Sequence, residues 1–255
     1  MSKKKEDVVR FRLDLVPNLA EKIWNEIGTY ANQQWDLPEN KELLTSIAGA
    51  EETEKLYALT DSAARNVELR ALLSKPLKDY DFGRRLRAIE WVVYDWGNVR
   101  GKSEKHELWP KQLQNYEPEV ITNFILENYQ DRIASWSKVL AFADSAAYAI
   151  YDARVVMSLN VILDKLGHKQ RFYMPSASSD KFNQVFSHIK AETAKVYANK
   201  TPVYMGYIDY LDLLNAIVRK RLAIDILEVE MSLFANAYDL AEEYIRKYAI
   251  VIKKR

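Results

Sequence analysis

Ile133 to Val155 reads IASWSKVLAFADSAAYAIYDARV. Apolar residues recur through its first half at helical spacing, and Asp144-Ser145 breaks the run. The reading is an amphipathic helix, a short turn and a second helix that opens on Asp152. Lys138 stands near the start of the first helix and Asp152 at the start of the second. An amine and a carboxylate on two helix beginnings form a candidate site for chemistry at a sugar–base bond. The plainer alternative is that Asp152 caps a helix and Lys138 lies along an amphipathic face.

Outward from this stretch the helical pattern continues. Seven glycines and seven prolines in 255 residues favour long helices over many short strands, so the expected fold class is all-α. Pro17 precedes Leu19, Ile23, Ile27 and Tyr30, and Pro38 opens a shorter helix with Leu43, Leu44 and Ile47, stopped by Gly49. One helical rhythm is expected over 51–73 through Leu56, Leu59, Ala63 and Val67. Asp81 is placed to cap a helix carrying Leu86, Ile89, Val93 and Trp96. Pro118 starts another, with Val120, Phe124 and Ile125 inward. Ser178 or Ser179 caps the next, and Ile208, Leu211, Leu214 and Ile217 form a further stripe. Asp225 and Glu228 have capping-box spacing, before a long last helix through Met231, Phe234, Tyr238 and Leu240. The expected organisation is an N-terminal helical region, 1–80, packed on a core, 81–255, that contains 133–155.

The absence of cysteine excludes disulfides, thiolate metal sites and a cysteine nucleophile. His106, His168 and His188 lack metal-ligand spacing, so no metal site is expected. The least polar stretch, 139–151, is too short to span a bilayer and contains Asp144, and no apolar run follows the basic opening. The expectation is a soluble cytoplasmic protein that does not engage a membrane. A net charge of +1 carries no argument, but the basic residues cluster. Arg84, Arg85 and Arg87 open one helix, and Arg100, Lys102 and Lys105 follow Trp96-Gly97-Asn98. With Trp91, Tyr94 and Trp96 nearby, that loop suits unstacked bases and phosphates. Ordinary core packing is the competing explanation for each aromatic residue.

Ser137-Lys138-Val139-Leu140-Ala141-Phe142 followed by Tyr148-Ala149-Ile150-Tyr151-Asp152-Ala153-Arg154-Val155 resembles the active-site segment of the helix-hairpin-helix DNA glycosylases. The likeness is to bacterial members with an 8-oxoguanine-glycosylase-like fold. It implies a helical glycosylase domain with an additional N-terminal helical region, Lys138 as the amine and Asp152 as the shared carboxylate. The family hairpin reads leucine-proline-glycine-valine-glycine; Ile133-Ala134-Ser135-Trp136-Ser137 stands in its place without a glycine. The resemblance then assigns DNA contacts to Ser135, Ser137, Arg100, Lys102 and Arg154, and a base pocket to Trp91, Trp96, Tyr151 and Phe234. Residues 227–234 look like the late helix that closes such a pocket. The implied protein is a monomer that needs no cofactor. Its partner is double-stranded DNA with a damaged or modified base, such as one in invading phage DNA. A glycosylase-like protein that binds DNA without cutting, and an all-helical interaction module, are the alternatives.

Overall fold

The computed structural model describes residues 10–27, 35–38, 41–99, 132–196, 204–221 and 223–249. Among them are eleven α-helices: α1 (Leu19–Glu26), α2 (Lys41–Ala48), α3 (Ala50–Ala58), α4 (Ser62–Leu77), α5 (Phe82–Glu90), α6 (Ile133–Ala143), α7 (Ala153–Lys165), α8 (Asp180–Val196), α9 (Tyr207–Lys220), α10 (Ile226–Ala235) and α11 (Ala237–Tyr248). The fold is all-α apart from one parallel pair of two-residue strands, β1 (Arg171–Phe172) and β2 (Tyr204–Met205). The Pro118 helix, Tyr30, Arg100, Lys102 and Lys105 lie outside the described residues.

The chain divides into two compact units: Met1–Thr29 with Ala153–Arg255, and Tyr30–Asp152. This differs from a boundary at residue 80. Helix α4 packs against α5 and α6 across that position. Residues 10–12, in turn, are tied to the C-terminal half. The Gln170 carboxamide accepts from the Arg12 N–H (2.8 Å) and donates to the Arg10 carbonyl (3.0 Å). The Phe11 ring stacks on His168 at 4.7 Å, and Asp209 accepts from both the Phe11 N–H and the Arg10 side chain.

The quoted stretch supplies a central helix to each unit. In the second unit α6 is buried on nearly every side from Ile133 to Ala143, against α4 and the turn after α5. In the first, α7 is buried continuously from Val155 to Leu163, among α1, α8, α10 and α11. Its polar residues Ser135, Ser137 and Lys138 are buried along with the apolar ones, so the helix has no exposed polar face and the reading of α6 as amphipathic is corrected. Its connection to α7 is also longer than a short turn. The Asp144 side chain accepts from the Ala146 and Ala147 N–H groups (both 3.2 Å), an Asx-type turn, and the chain then runs without helix or strand to Asp152.

Several helix ends follow from local chemistry. Asp81 accepts from the Gly83 and Arg84 N–H groups, and Asp225 with Glu228 forms a complete capping box. Ser179 Oγ accepts from the Phe182 N–H at 3.4 Å. Gly49 takes φ +103° between α2 and α3, a region an L side chain rarely enters.

Two expected helices are broken. Over 51–73 the chain stops at Leu59 and restarts behind Asp61, whose side chain accepts from the Ala63 and Ala64 N–H groups. The restart resets the helical phase, so Val67 is exposed while Asn66, Leu69 and Leu73 are buried. The last helix breaks at Asn236, whose amide donates back to the Ser232 carbonyl.

After α5, residues Trp91–Trp96 continue as a π-helix. The wider turn puts three successive residues, Trp91, Val92 and Val93, into the core. It ends where the Gly97 N–H reaches the Val92 carbonyl at 2.9 Å, five residues back. Burial pushes the Tyr94 phenol above its ordinary range, and the neighbouring Glu90 adds to the shift.

Candidate functional site

Lys138 and Asp152 both belong to the second unit. Lys138 projects from the middle of α6 and is only 7% exposed. Its Nζ donates to the Ala134 carbonyl at 2.9 Å, one turn back on its own helix. Asp152 is partly exposed and is the residue immediately before α7. One hydrogen bond joins their neighbours: the Tyr151 N–H donates to Ser137 Oγ at 2.9 Å, fully buried. It fixes the chain just before Asp152 to the helix residue just before Lys138.

The bond also changes the role of Ser137. The serine is completely buried and its hydroxyl holds the connection to α7, and Ser135 is buried too. Residues 133–137 are the opening turn of α6 rather than a hairpin between helices. Buried hydroxyls within a helix present no donors to a phosphate, so their assignment as DNA contacts is corrected. Replacing Ser137 with alanine leaves the buried Tyr151 N–H without this acceptor, at a cost of about 1–3 kcal/mol. Urea unfolding of Ser137→Ala against the parent checks it.

The aromatic candidates divide. Trp91 and Tyr151 are core residues, at 0% and 1% exposure, with no ring face open to an incoming base. Their place in a base pocket is corrected: the π-helix turns Trp91 inward, and the Ser137 bond draws the Tyr151 backbone against α6. Trp96 is partly exposed, with its ring edge-on to Phe142 at 4.7 Å. Phe234 lies in the first unit, with the Arg154 guanidinium over its ring at 4.6 Å and over Tyr238 at 5.3 Å. Lys181, paired with Glu242 at 2.6 Å, lies over the same tyrosine at 5.8 Å. Arg154 is thus held as a cation against an aromatic pair.

Of the other basic residues, Arg84 donates to the Ile47 carbonyl and to Asp79, and buried Arg85 donates to the Asp79 carbonyl. Arg84 thus joins α5 to α2, and Arg85 joins α5 to its connection with α4. Burial pushes the Arg85 guanidinium below its ordinary range, against the pull of Asp79. Among the described residues no group of three or more His, Asp or Glu side chains could hold a metal ion, and no helix is long and apolar enough to cross a membrane.

Sequence reasoning missed Gly97. A Cβ there would stand 2.7 and 2.8 Å from the Val93 and Val92 carbonyl oxygens and 3.0 Å from Lys138 Cδ. The signal was present as Trp91-Val92-Val93-Tyr94, too continuous an apolar run for one α-helical face, followed shortly by a glycine. Comparison with protein-family models, curated proteins and solved structures gave no match in any of the three.

Proposed function

We propose that this protein is a DNA glycosylase that extrudes a damaged or modified base from duplex DNA and cleaves its N-glycosidic bond. Asp152 is the carboxylate that faces the sugar and Lys138 is the amine. The observation that carries the reading is the buried Tyr151 N–H to Ser137 Oγ bond, which anchors the Asp152 segment to the helix bearing Lys138. Glycosidic cleavage builds positive charge on the deoxyribose, and a fixed anion stabilises that state. The base must leave the stack before reaction.

Lys138 has two available roles. As a neutral amine its nitrogen bonds C1′ while the C1′–N bond breaks. The base departs with that electron pair and takes up the proton the amine gives up; ring opening then yields a Schiff base. As a cation it anchors a phosphate. The test is incubation with plain duplex and with duplexes containing 8-oxoguanine, uracil, hypoxanthine or a hypermodified pyrimidine of the phage type. Abasic product from at least one modified duplex supports the reading, and none from any of them removes it. Lys138→Gln is expected to abolish the borohydride-trappable adduct; unaltered trapping would take the nucleophile's role from Lys138.

A second reading, DNA binding without chemistry, is favoured by the Lys138 amine lying on the Ala134 carbonyl. It predicts salt-dependent duplex binding and no product from any substrate.

A further inference from the structure

We propose that the π-helical turn Trp91–Trp96 and Gly97 form a collar that positions Lys138, with Gly97 the residue that sets the place of the lysine stem. The inference rests on the glycosylase reading only for the purpose it gives the lysine. Lys138 and Phe142 are four residues apart and share one face of α6. The turn covers both, Trp96 meeting the Phe142 ring at 4.7 Å and Gly97 meeting the Lys138 stem. A glycine is required there because the Val92 and Val93 carbonyls leave no room for a Cβ, and the lysine Cδ closes the third side. The Val92 carbonyl accepts the π-type bond from the Gly97 N–H and the Val93 carbonyl accepts from the Val99 N–H, six residues on, so the turn's own hydrogen bonds hold the backbone against the stem. π-Helical turns are rare and recur at functional sites. Here the extra width of the turn brings a side-chain-free residue to the stem of a buried lysine. The stem is confined while the amine rests on the Ala134 carbonyl, which it can exchange for a substrate atom.

The test has two arms on the full chain. Without DNA, lysine acetylation by an N-hydroxysuccinimide ester is read by peptide mass spectrometry, with exposed Lys55 as the internal standard. Lys138 in the parent is expected to label far more slowly than Lys55, and Gly97→Ala to raise its labelling severalfold by displacing the stem. Equal labelling of Lys138 in parent and variant overturns the collar, as does parental Lys138 labelling as readily as Lys55. With a modified duplex, Gly97→Ala is expected to lower the rate of borohydride-trapped adduct about a hundredfold, because a small misplacement of a reacting group costs that much. Duplex affinity stays unchanged, and a parallel loss of affinity and adduct overturns the positioning role. If Gly97→Ala does not fold, Trp96→Leu replaces it: the ring contact to Phe142 is lost with Gly97 in place. Lys138 labelling must then rise, and unchanged labelling overturns the proposal. Absence of adduct from the parent protein on every duplex counts against the glycosylase reading, while the labelling arm still decides the collar.

Discussion

Asp152→Asn is expected to lower the rate of base release by about 10²- to 10³-fold while leaving the melting temperature within a few degrees of the parent. The substitution keeps the size, removes the charge and exchanges one accepting oxygen for a donating NH2. Asp152 is partly exposed and stands directly before a helix that is buried without interruption from Val155 to Leu163. The helix can lose an anion at its start for about 0.3–1 kcal/mol. A developing cation on the sugar loses far more, since nothing else with a fixed negative charge has been assigned to it. The measurement is single-turnover release of base from the best modified duplex, with thermal unfolding of both proteins in the same buffer. Release at the parental rate would make Asp152 a helix cap and nothing more. A loss of release matched by a loss of folding would make it structural. Duplex affinity is expected to hold, because the charge removed is negative and a polyanion is not repelled by its loss.

The sequence was most legible where the controlling interaction is local. Asp81, Asp225 with Glu228, and Ser179 were found because a cap involves residues two or three apart. Asp152 stands immediately before α7. Phase was harder. Leu56 to Val67 fits one continuous helical stripe, but the two-residue break before Asp61 rotates everything after it, and Asn66 rather than Val67 faces inward. Burial of α6 on all sides could not be read from its spacing, because Ser135, Ser137 and Lys138 mimic a polar face. The division into units was hidden altogether. Nothing near Arg10 or Arg12 indicates that their backbones are held by Gln170, about 160 positions later. The roles of Ser137 and Gly97 were invisible for a related reason: each acts on a segment distant in sequence, through one bond or one absent Cβ.

Asn160 and Asn66 provide the other large effect, because one substitution is expected to act with opposite signs at the two sites. Both asparagines are inside the protein, at 0% and 2% exposure, and both sit within helices. Asn160, in the first unit, uses its whole carboxamide: Nδ2 donates to the Phe172 carbonyl and Oδ1 accepts from the Phe172 N–H, each at 2.8 Å. It thereby holds β1 against α7 as a neighbouring strand would. Asn66, in the second unit, has no hydrogen-bond partner on either amide atom among the described residues. Leucine is close to asparagine in shape and removes both polar atoms. At 160 it strands a buried N–H and a buried C=O, and the expected loss is about 2–5 kcal/mol. At 66 it removes two polar atoms whose desolvation is uncompensated, and the expected gain is about 1–2 kcal/mol. Urea unfolding reads both, as midpoint shifts in opposite directions at unchanged slope. Should the two units unfold in separate steps, each variant moves only the transition of its own unit. A destabilised Asn66→Leu would mean that the amide is held by a partner after all. A neutral Asn160→Leu would mean that β1 stays on α7 without its carboxamide clamp, so that packing of Phe172 alone holds the strand in place.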